Sequence, residues 1–331
     1  MNRKWSLKFS NIADTLWYDK HPLRWGLLPF TGLYQLIITS RCWLFTRFKQ
    51  KKYSTPIIVV GNITVGGVGK TPFVIALVLK FKEKGLQVGV VSRGYGATSK
   101  QFPLEVLPES TAAQVGDEPV LIAEKARCPV VISPNRCEAV EYLLKHHHCD
   151  VIVSDDGLQH YKMGRAIEIV IIDAQRGLGN EWCLPAGPLR EPKRRLKEVD
   201  FIIVNSGRWE NAYSMTLQPG IITHLNTGES VSNMNEIQFV EAVAAIGNPR
   251  RFFATLDDLG LSYDAHAYPD HYHFKPQDFK DYTHPVLMTE KDAVKCRQFA
   301  THSMYVLPVL AHVDDAFWEA LFSHQRLKDL M

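Results

Sequence analysis

Four β-branched residues, Ile57–Val60, run straight into Gly61-Asn62-Ile63-Thr64-Val65-Gly66-Gly67-Val68-Gly69-Lys70-Thr71, and Pro72–Lys80 follows with the composition of a helix. A strand that turns through glycines into a helix opening on Lys-Thr is a phosphate-binding loop. The glycines let backbone N–H groups turn inward around phosphate oxygens, Lys70 adds a mobile positive charge, and the Thr71 hydroxyl suits Mg²⁺. Residues Thr64, Val65, Gly66, Gly67, Val68, Gly69, Lys70 and Thr71 are therefore the expected nucleotide contacts. Thr64 stands where G-x-x-x-x-G-K-[ST] has its first glycine, and Gly66 and Gly67 supply flexibility instead.

A loop of this kind needs a parallel sheet behind it. Further strand candidates recur at Val88–Ser92, Val130–Ser133, Val151–Ser154, Ile167–Asp173 and Phe201–Asn205, with helical patterns between several of them. The alternation predicts an α/β fold, a P-loop NTPase-like domain with a mostly parallel sheet, over residues 51–210. A polar stretch, residues 211–235, reads as a linker. A smaller α/β unit is expected over 236–331, with strands at Phe239–Ile246, Pro285–Thr289 and Met304–Val309 and a helix from Arg250 to Leu259 stopped by Gly260.

The first fifty residues differ in kind. Residues 1–52 carry ten Lys/Arg against two Asp/Glu, whereas the rest of the chain has 28 against 33. Sixteen uncharged residues separate Arg24 from Arg41. As a helix they would reach roughly 24 Å, short of a hydrocarbon core of about 30 Å. Gly26, Pro29 and Gly32 interrupt the first half, and Trp5, Leu7, Phe9, Ile12, Leu16 and Trp17 alternate with Lys4, Lys8, Lys20 and Arg24. This pattern predicts an amphipathic helical arm lying on a membrane surface, neither spanning it nor serving as a cleavable signal; packing of the aromatics on the protein's own core is the alternative. The basic surplus has no nucleic-acid reading motif around it, so no nucleic-acid partner is expected. Six cysteines without a Cys-x-x-Cys pair fit a reducing compartment.

Acids complete the chemistry. The apolar run Val151–Ser154 ends in Asp155-Asp156-Gly157, an arrangement that brings carboxylates beside a phosphate loop for Mg²⁺, or merely caps the next turn. Asp117 and Glu118 precede Pro119, which suits a helix start, yet an aspartate also serves as base for an acceptor hydroxyl. His271, within Tyr268-Pro269-Asp270-His271, is placed to orient such an aspartate, whereas His146-His147-His148 reads as a polar turn. Pro185-Ala186-Gly187-Pro188-Leu189-Arg190-Glu191-Pro192, running into Lys193, Arg194 and Arg195, is a Pro-pinned basic loop that suits an anionic substrate or is a solvated charge run.

Taken in order, the phosphate loop, Ser92-Arg93-Gly94-Tyr95-Gly96, Gly116-Asp117-Glu118-Pro119, Asp155-Asp156-Gly157-Leu158-Gln159-His160, the Pro-pinned loop, Gly247-Asn248-Pro249, Pro269-Asp270-His271 and Thr289-Glu290-Lys291-Asp292-Ala293 resemble the tetraacyldisaccharide 4'-kinase (lipid A 4'-kinase) family. The resemblance covers most of the chain. It implies transfer of the ATP γ-phosphate to the 4'-hydroxyl of an acylated glucosamine disaccharide 1-phosphate, giving lipid IVA, at the cytoplasmic face of the bacterial inner membrane. It also implies two α/β/α domains joined by a two-stranded linker, with the site between them. Lys70 and Thr71 would hold phosphate and Mg²⁺, Asp155 and Asp156 would complete the metal site, and Glu118 and Glu191 would join the metal or charge network. Asp117 would be the base, helped by His271, with Arg93, Asn135, Arg136, Gln159, His160 and Arg190 contacting substrate or phosphate. Leu158 departs from the aromatic residue more usual there. A membrane-associated switch ATPase of the partitioning or metal-insertion type is the competing reading, but Val65 stands at that class's signature lysine.

Overall fold

The apolar runs are strands, and their spatial order carries the phosphate loop to the middle of a sheet. The computed structural model describes residues 14–19, 21–231 and 237–330. Trp5, Leu7, Phe9, Ile12 and Lys20 of the arm, and residues 232–235 of the expected linker, lie outside that set.

The larger sheet has nine strands: β1 (Ile57–Gly61), β2 (Val88–Ser92), β3 (Leu104–Glu105), β4 (Val130–Ile132), β5 (Val151–Asp155), β6 (Ile167–Asp173), β7 (Phe201–Asn205), β8 (Tyr213–Pro219) and β14 (Val309–Val313). They lie in the order β14-β8-β7-β6-β1-β5-β2-β4-β3, parallel from β8 to β4 with antiparallel edges. β1 is central and every residue in it is buried, because helices and loops cover both faces; hence the unbroken apolar run without alternation. Phe73, Leu77 and Phe81 of α2 (Lys70–Glu83) and Val120 and Ile122 of α3 (Asp117–Ala126) fill one face. Val140 and Leu143 of α4 (Arg136–His146) fill the other.

The smaller sheet runs β11 (Ser262–Ala267), β10 (Phe239–Ala244), β12 (Val286–Thr289), β13 (Met304–Leu307) and β9 (Thr223–His224), with only β9 antiparallel. Phe252 and Leu256 of α5 (Pro249–Asp258) pack on one face, and Ala293 and Cys296 of α6 (Glu290–Cys296) on the other.

Two expectations change here. The polar stretch after Asn205 contains β8, which extends the larger sheet. The chain also leaves the smaller unit after Leu307: β14 pairs antiparallel with β8, from Val309 opposite Pro219 to Val313 opposite Met215. Helix α7 (Asp315–Phe322) then buries Phe317 and Leu321 in the larger core. Residues 309–330 therefore pack with the first unit, and β8 and β14 form a two-stranded connection. Neither strand's place can be read from its own residues, since each finds its partner far along the chain.

Helix α1 (Leu28–Leu44) of the arm is unbroken despite Pro29, because Pro29 lies in the first turn, where no N–H partner is required. Its inner face is tied to the Pro-pinned loop: the Thr31 hydroxyl donates to the Cys183 carbonyl (3.3 Å) and the Tyr34 hydroxyl to the Arg190 carbonyl (2.9 Å). Phe30, Leu33, Leu36, Ile37 and Trp43 are exposed. Among the described residues no helix is long and apolar enough to cross a membrane.

Candidate active site

The phosphate loop is pinned from three sides. Asn62, fully buried, donates from its amide to the Thr64 carbonyl (2.7 Å), while its Oδ1 accepts from Lys70 Nζ (3.2 Å). Asn205, at the carboxyl end of β7, donates to the Val68 carbonyl (2.9 Å). Gly69 caps α2 in the left-handed region (φ 92°), where a side chain would collide with the Asn205 amide. From the smaller unit, the turn Gly247-Asn248 lies against Gly67.

Asp155 ends β5 beside this loop and Asp156 follows it; the two diverge because Asp156 has a left-handed backbone (φ 46°). Asp156 faces Lys70 Nζ (3.6 Å) and accepts from Arg190 Nη1 at 3.2 and 3.1 Å. Burial opposes its charge, but Lys70 and Arg190 outweigh it and hold the carboxyl well below the usual range. Asp155 points inward; its Oδ2 accepts from the Ser92 hydroxyl (3.2 Å) and its Oδ1 has no hydrogen-bond partner among the described residues. Burial, then the negative charges of Glu118 and Asp156, push Asp155 up to about 7. A buried orphan oxygen amid mutually repelling carboxylates fits a divalent cation. No group of three His, Cys, Asp or Glu among the described residues is gathered as a ready-made metal cage. Mg²⁺ is satisfied by fewer protein ligands, taking one or two carboxylates plus water and phosphate oxygens.

Asp117 is the first residue of α3, capped by Gly116, so it opens a helix without being the capping residue. It is 4% exposed and accepts from His271 Nδ1, 3.0 Å from each carboxylate oxygen. Although burial works against it, the His271 hydrogen bond and the charges of Lys291 and Lys295 hold the carboxyl below its ordinary value. The contact joins residues 154 apart in sequence, one on each unit. Glu118 pairs with Lys291 Nζ (3.0 Å), and burial of that lysine is outweighed by Glu118, Asp117 and Asp270, which push its pKa up.

The remaining candidates divide. Arg93 is exposed near the site, and Arg190, expected to contact substrate or phosphate, is paired with Asp156. Arg136 is 1% exposed and donates to the Ser133 and Asp155 carbonyls (2.8 and 3.1 Å), so it braces the end of β5 where a substrate contact was expected. Asn135 is engaged with Glu138 (2.8 Å). Glu191, expected in the metal or charge network, is 2% exposed and accepts from Gln159 (2.7 Å) and Arg195 (3.2 Å), a charge-network contact. Gln159 is thus turned to Glu191 and to the Asn62 carbonyl. His160 is lowered to about 3 by burial and by Arg136 and Arg93, so it is neutral near pH 7. Local sequence shows a polar or charged side chain at each of these places; it does not show which are taken up by internal partners.

Sequence reasoning missed Asn62, Asn205, Lys291 and Lys295. Lys291 and Lys295 do sit in or beside the Thr289–Ala293 segment, spaced so that both fall on the face of α6 that meets α3.

A phosphate loop with strand-end acids, facing a buried aspartate–histidine pair contributed by two α/β units, is the arrangement of a P-loop phosphotransferase. The comparisons make this specific. Residues 23–326 match the sequence model of the family described as Tetraacyldisaccharide-1-P 4'-kinase. The tetraacyldisaccharide 4'-kinase of Legionella pneumophila strain Corby is 56% identical over 96% of this chain and 99% of its own, and that of Haemophilus influenzae is 48% identical over 91% and 92%. The crystal structure of "apo" form LpxK from Aquifex aeolicus in complex with ATP superposes with a TM-score of 0.75 at 29% identity, over 91% of this chain and 98% of that one. The chain belongs to the tetraacyldisaccharide 4'-kinase family, the lipid kinases of lipid A biosynthesis.

Proposed function

We propose that Asp117 is the base that takes the proton of the disaccharide 4'-hydroxyl as its oxygen attacks the γ-phosphorus of ATP. The observation that carries this is the Asp117–His271 contact across the two units, which gives a buried, ionised carboxylate oriented by a histidine. The new P–O bond forms as the bond to the β,γ-bridging oxygen breaks, leaving ADP, and the proton passes to Asp117. Lys70 and Arg190 stand on either side of Asp156 and supply positive charge where phosphate charge develops. The phosphate contacts are assigned to Thr64, Val65, Gly66, Gly67, Val68, Gly69, Lys70 and Thr71. Thr71, Asp155, Asp156 and Glu118 would hold Mg²⁺, which when bound neutralises phosphate charge. Arg93, exposed at the end of β2, is assigned to the substrate's anionic side.

The exposed apolar face of α1 supports a monotopic attachment that brings the site to the bilayer surface, with the catalytic units on the cytoplasmic side. Replacing Leu33, Leu36, Ile37 and Trp43 by Gln should release the protein from vesicles; retained binding would refute the anchor.

The test of the chemistry is incubation with labelled ATP, Mg²⁺ and the acylated disaccharide 1-phosphate in mixed micelles, followed by locating the new phosphate. Transfer to the 4' position should fall by about 10²- to 10⁴-fold in Asp117→Asn, the usual contribution of a positioned base. Wild-type transfer by folded Asp117→Asn would refute the assignment.

A further inference from the structure

We propose that Lys291 is a positioning residue that occupies the Nε2 lone pair of His271 and so leaves Asp117 as the member of the Asp117–His271 pair that receives the proton. This deepens the reading of Asp117 as base and rests on it.

The argument begins with what each nitrogen of His271 faces. Nδ1 lies 3.0 Å from both oxygens of Asp117, and Nε2 lies 3.4 Å from Lys291 Nζ. A lysine ammonium can only donate, and an ionised carboxylate can only accept. The ring proton therefore sits on Nδ1, directed at Asp117, and Nε2, which also lies 3.8 Å from Asp270 Oδ2, presents its lone pair toward Lys291. With Nε2 engaged by an ammonium, the imidazole has no free lone pair for the acceptor hydroxyl. The proton then goes to the Asp117 carboxylate.

Lys291 is itself held in place. Its Nζ also donates to Glu118 at 3.0 Å and lies 3.6 Å from Asp270 Oδ1, while its side chain is 17% exposed. Asp270 in turn accepts from the His271 backbone N–H (3.1 Å), with His271 in the left-handed region (φ 58°), and the ring packs against Tyr95 with centroids 4.7 Å apart. The imidazole is thus packed against Tyr95, held in tautomer by Asp117, and faced at Nε2 by Lys291. Glu118 belongs to the larger unit and Lys291 to the smaller one, so the same ammonium that faces Nε2 ties α6 to α3. Two more pairs, Lys125 with Glu290 and Glu124 with Arg297, cross the same contact and leave the two units docked when Lys291 alone is changed.

The experiment uses the full chain, with Lys291→Met as the uncharged variant of similar length and Lys291→Arg as the conservative one. In Lys291→Met, kcat should drop by about 10- to 100-fold, the equivalent of one charge-assisted hydrogen bond, while KM for ATP stays within about two-fold. Lys291→Arg, which also only donates, should recover most of the rate. Nitrogen NMR of labelled histidine, taken where the ring is neutral, should show the Nδ1–H tautomer for His271 in both proteins, with the Nε2 resonance shifted in Lys291→Met by loss of the ammonium. In a His271→Ala background the Lys291→Met change should cost little more, because its effect runs through the imidazole. An unchanged kcat, an unchanged Nε2 resonance, or a full additional loss in the His271→Ala background would each overturn the proposal. If Asp117→Asn is inactive while Lys291→Met turns over normally, this inference fails and the base assignment stands. If Asp117→Asn is fully active, the base assignment itself fails.

Discussion

Gly247→Ala should cripple turnover although the residue bears no functional group, and its partner Gly67→Ala should not. A Cβ on Gly247 would lie 2.9 Å from the Gly67 nitrogen and 3.3 Å from Asp270 Oδ2. The first contact is with backbone of the phosphate loop, which cannot swing away as a side-chain tip can. Reaching ordinary van der Waals separation requires the loop and the turn to part by about half an ångström, and misplacements of about 1 Å cost on the order of 100-fold in rate. A fall in kcat of about 10-fold or more is therefore expected. A Cβ on Gly67, by contrast, meets Gly247 Cα at 3.7 Å, an ordinary contact, so Gly67→Ala should stay within a few-fold of wild type. Steady-state kcat and KM for ATP on both variants, with thermal denaturation as a check on folding, measure the difference. Equal damage from the two substitutions would refute the reasoning, since the cost would then come from the loop's own conformation and not from the approach of the smaller unit.

Asn205→Ala removes the donor to the Val68 carbonyl and should raise KM for ATP about 10-fold, the cost of one buried unpaired acceptor, as read by nucleotide titration. Glu191→Gln should lower stability by about 1–3 kcal/mol through its lost pairing with Arg195 but leave the Mg²⁺ dependence of turnover unchanged; a large rise in the Mg²⁺ requirement would restore Glu191 as a metal ligand. His160 is protonated in the unfolded chain below about pH 6.5 but stays neutral in the folded one until about 3. The unfolded state then binds the extra proton, so stability declines as pH falls through this window by about 1.4 kcal/mol per unit. His160→Asn should flatten that decline in denaturant titrations at pH 7 and 5, and an identical slope would show that another group carries it.

Chain-local chemistry determined much of this protein. The strand, the glycines and Lys70-Thr71 are contiguous, so the phosphate loop is written in consecutive residues, as are the acids that end β5 and the aspartate that opens α3. These need only a parallel sheet to become neighbours, because such a sheet gathers the carboxyl ends of its strands at one edge. The tertiary structure decided which charges are available to a ligand. Arg136 and Glu191 look as functional in sequence as Arg190 and Asp156, yet both are closed off by internal partners. It also decided that β14 and α7 return to the larger unit, and that Lys291 reaches Glu118 across 173 residues. Periodicity reports only which face of a segment is apolar, whereas the partner of a buried charge is chosen by packing between elements remote in the chain.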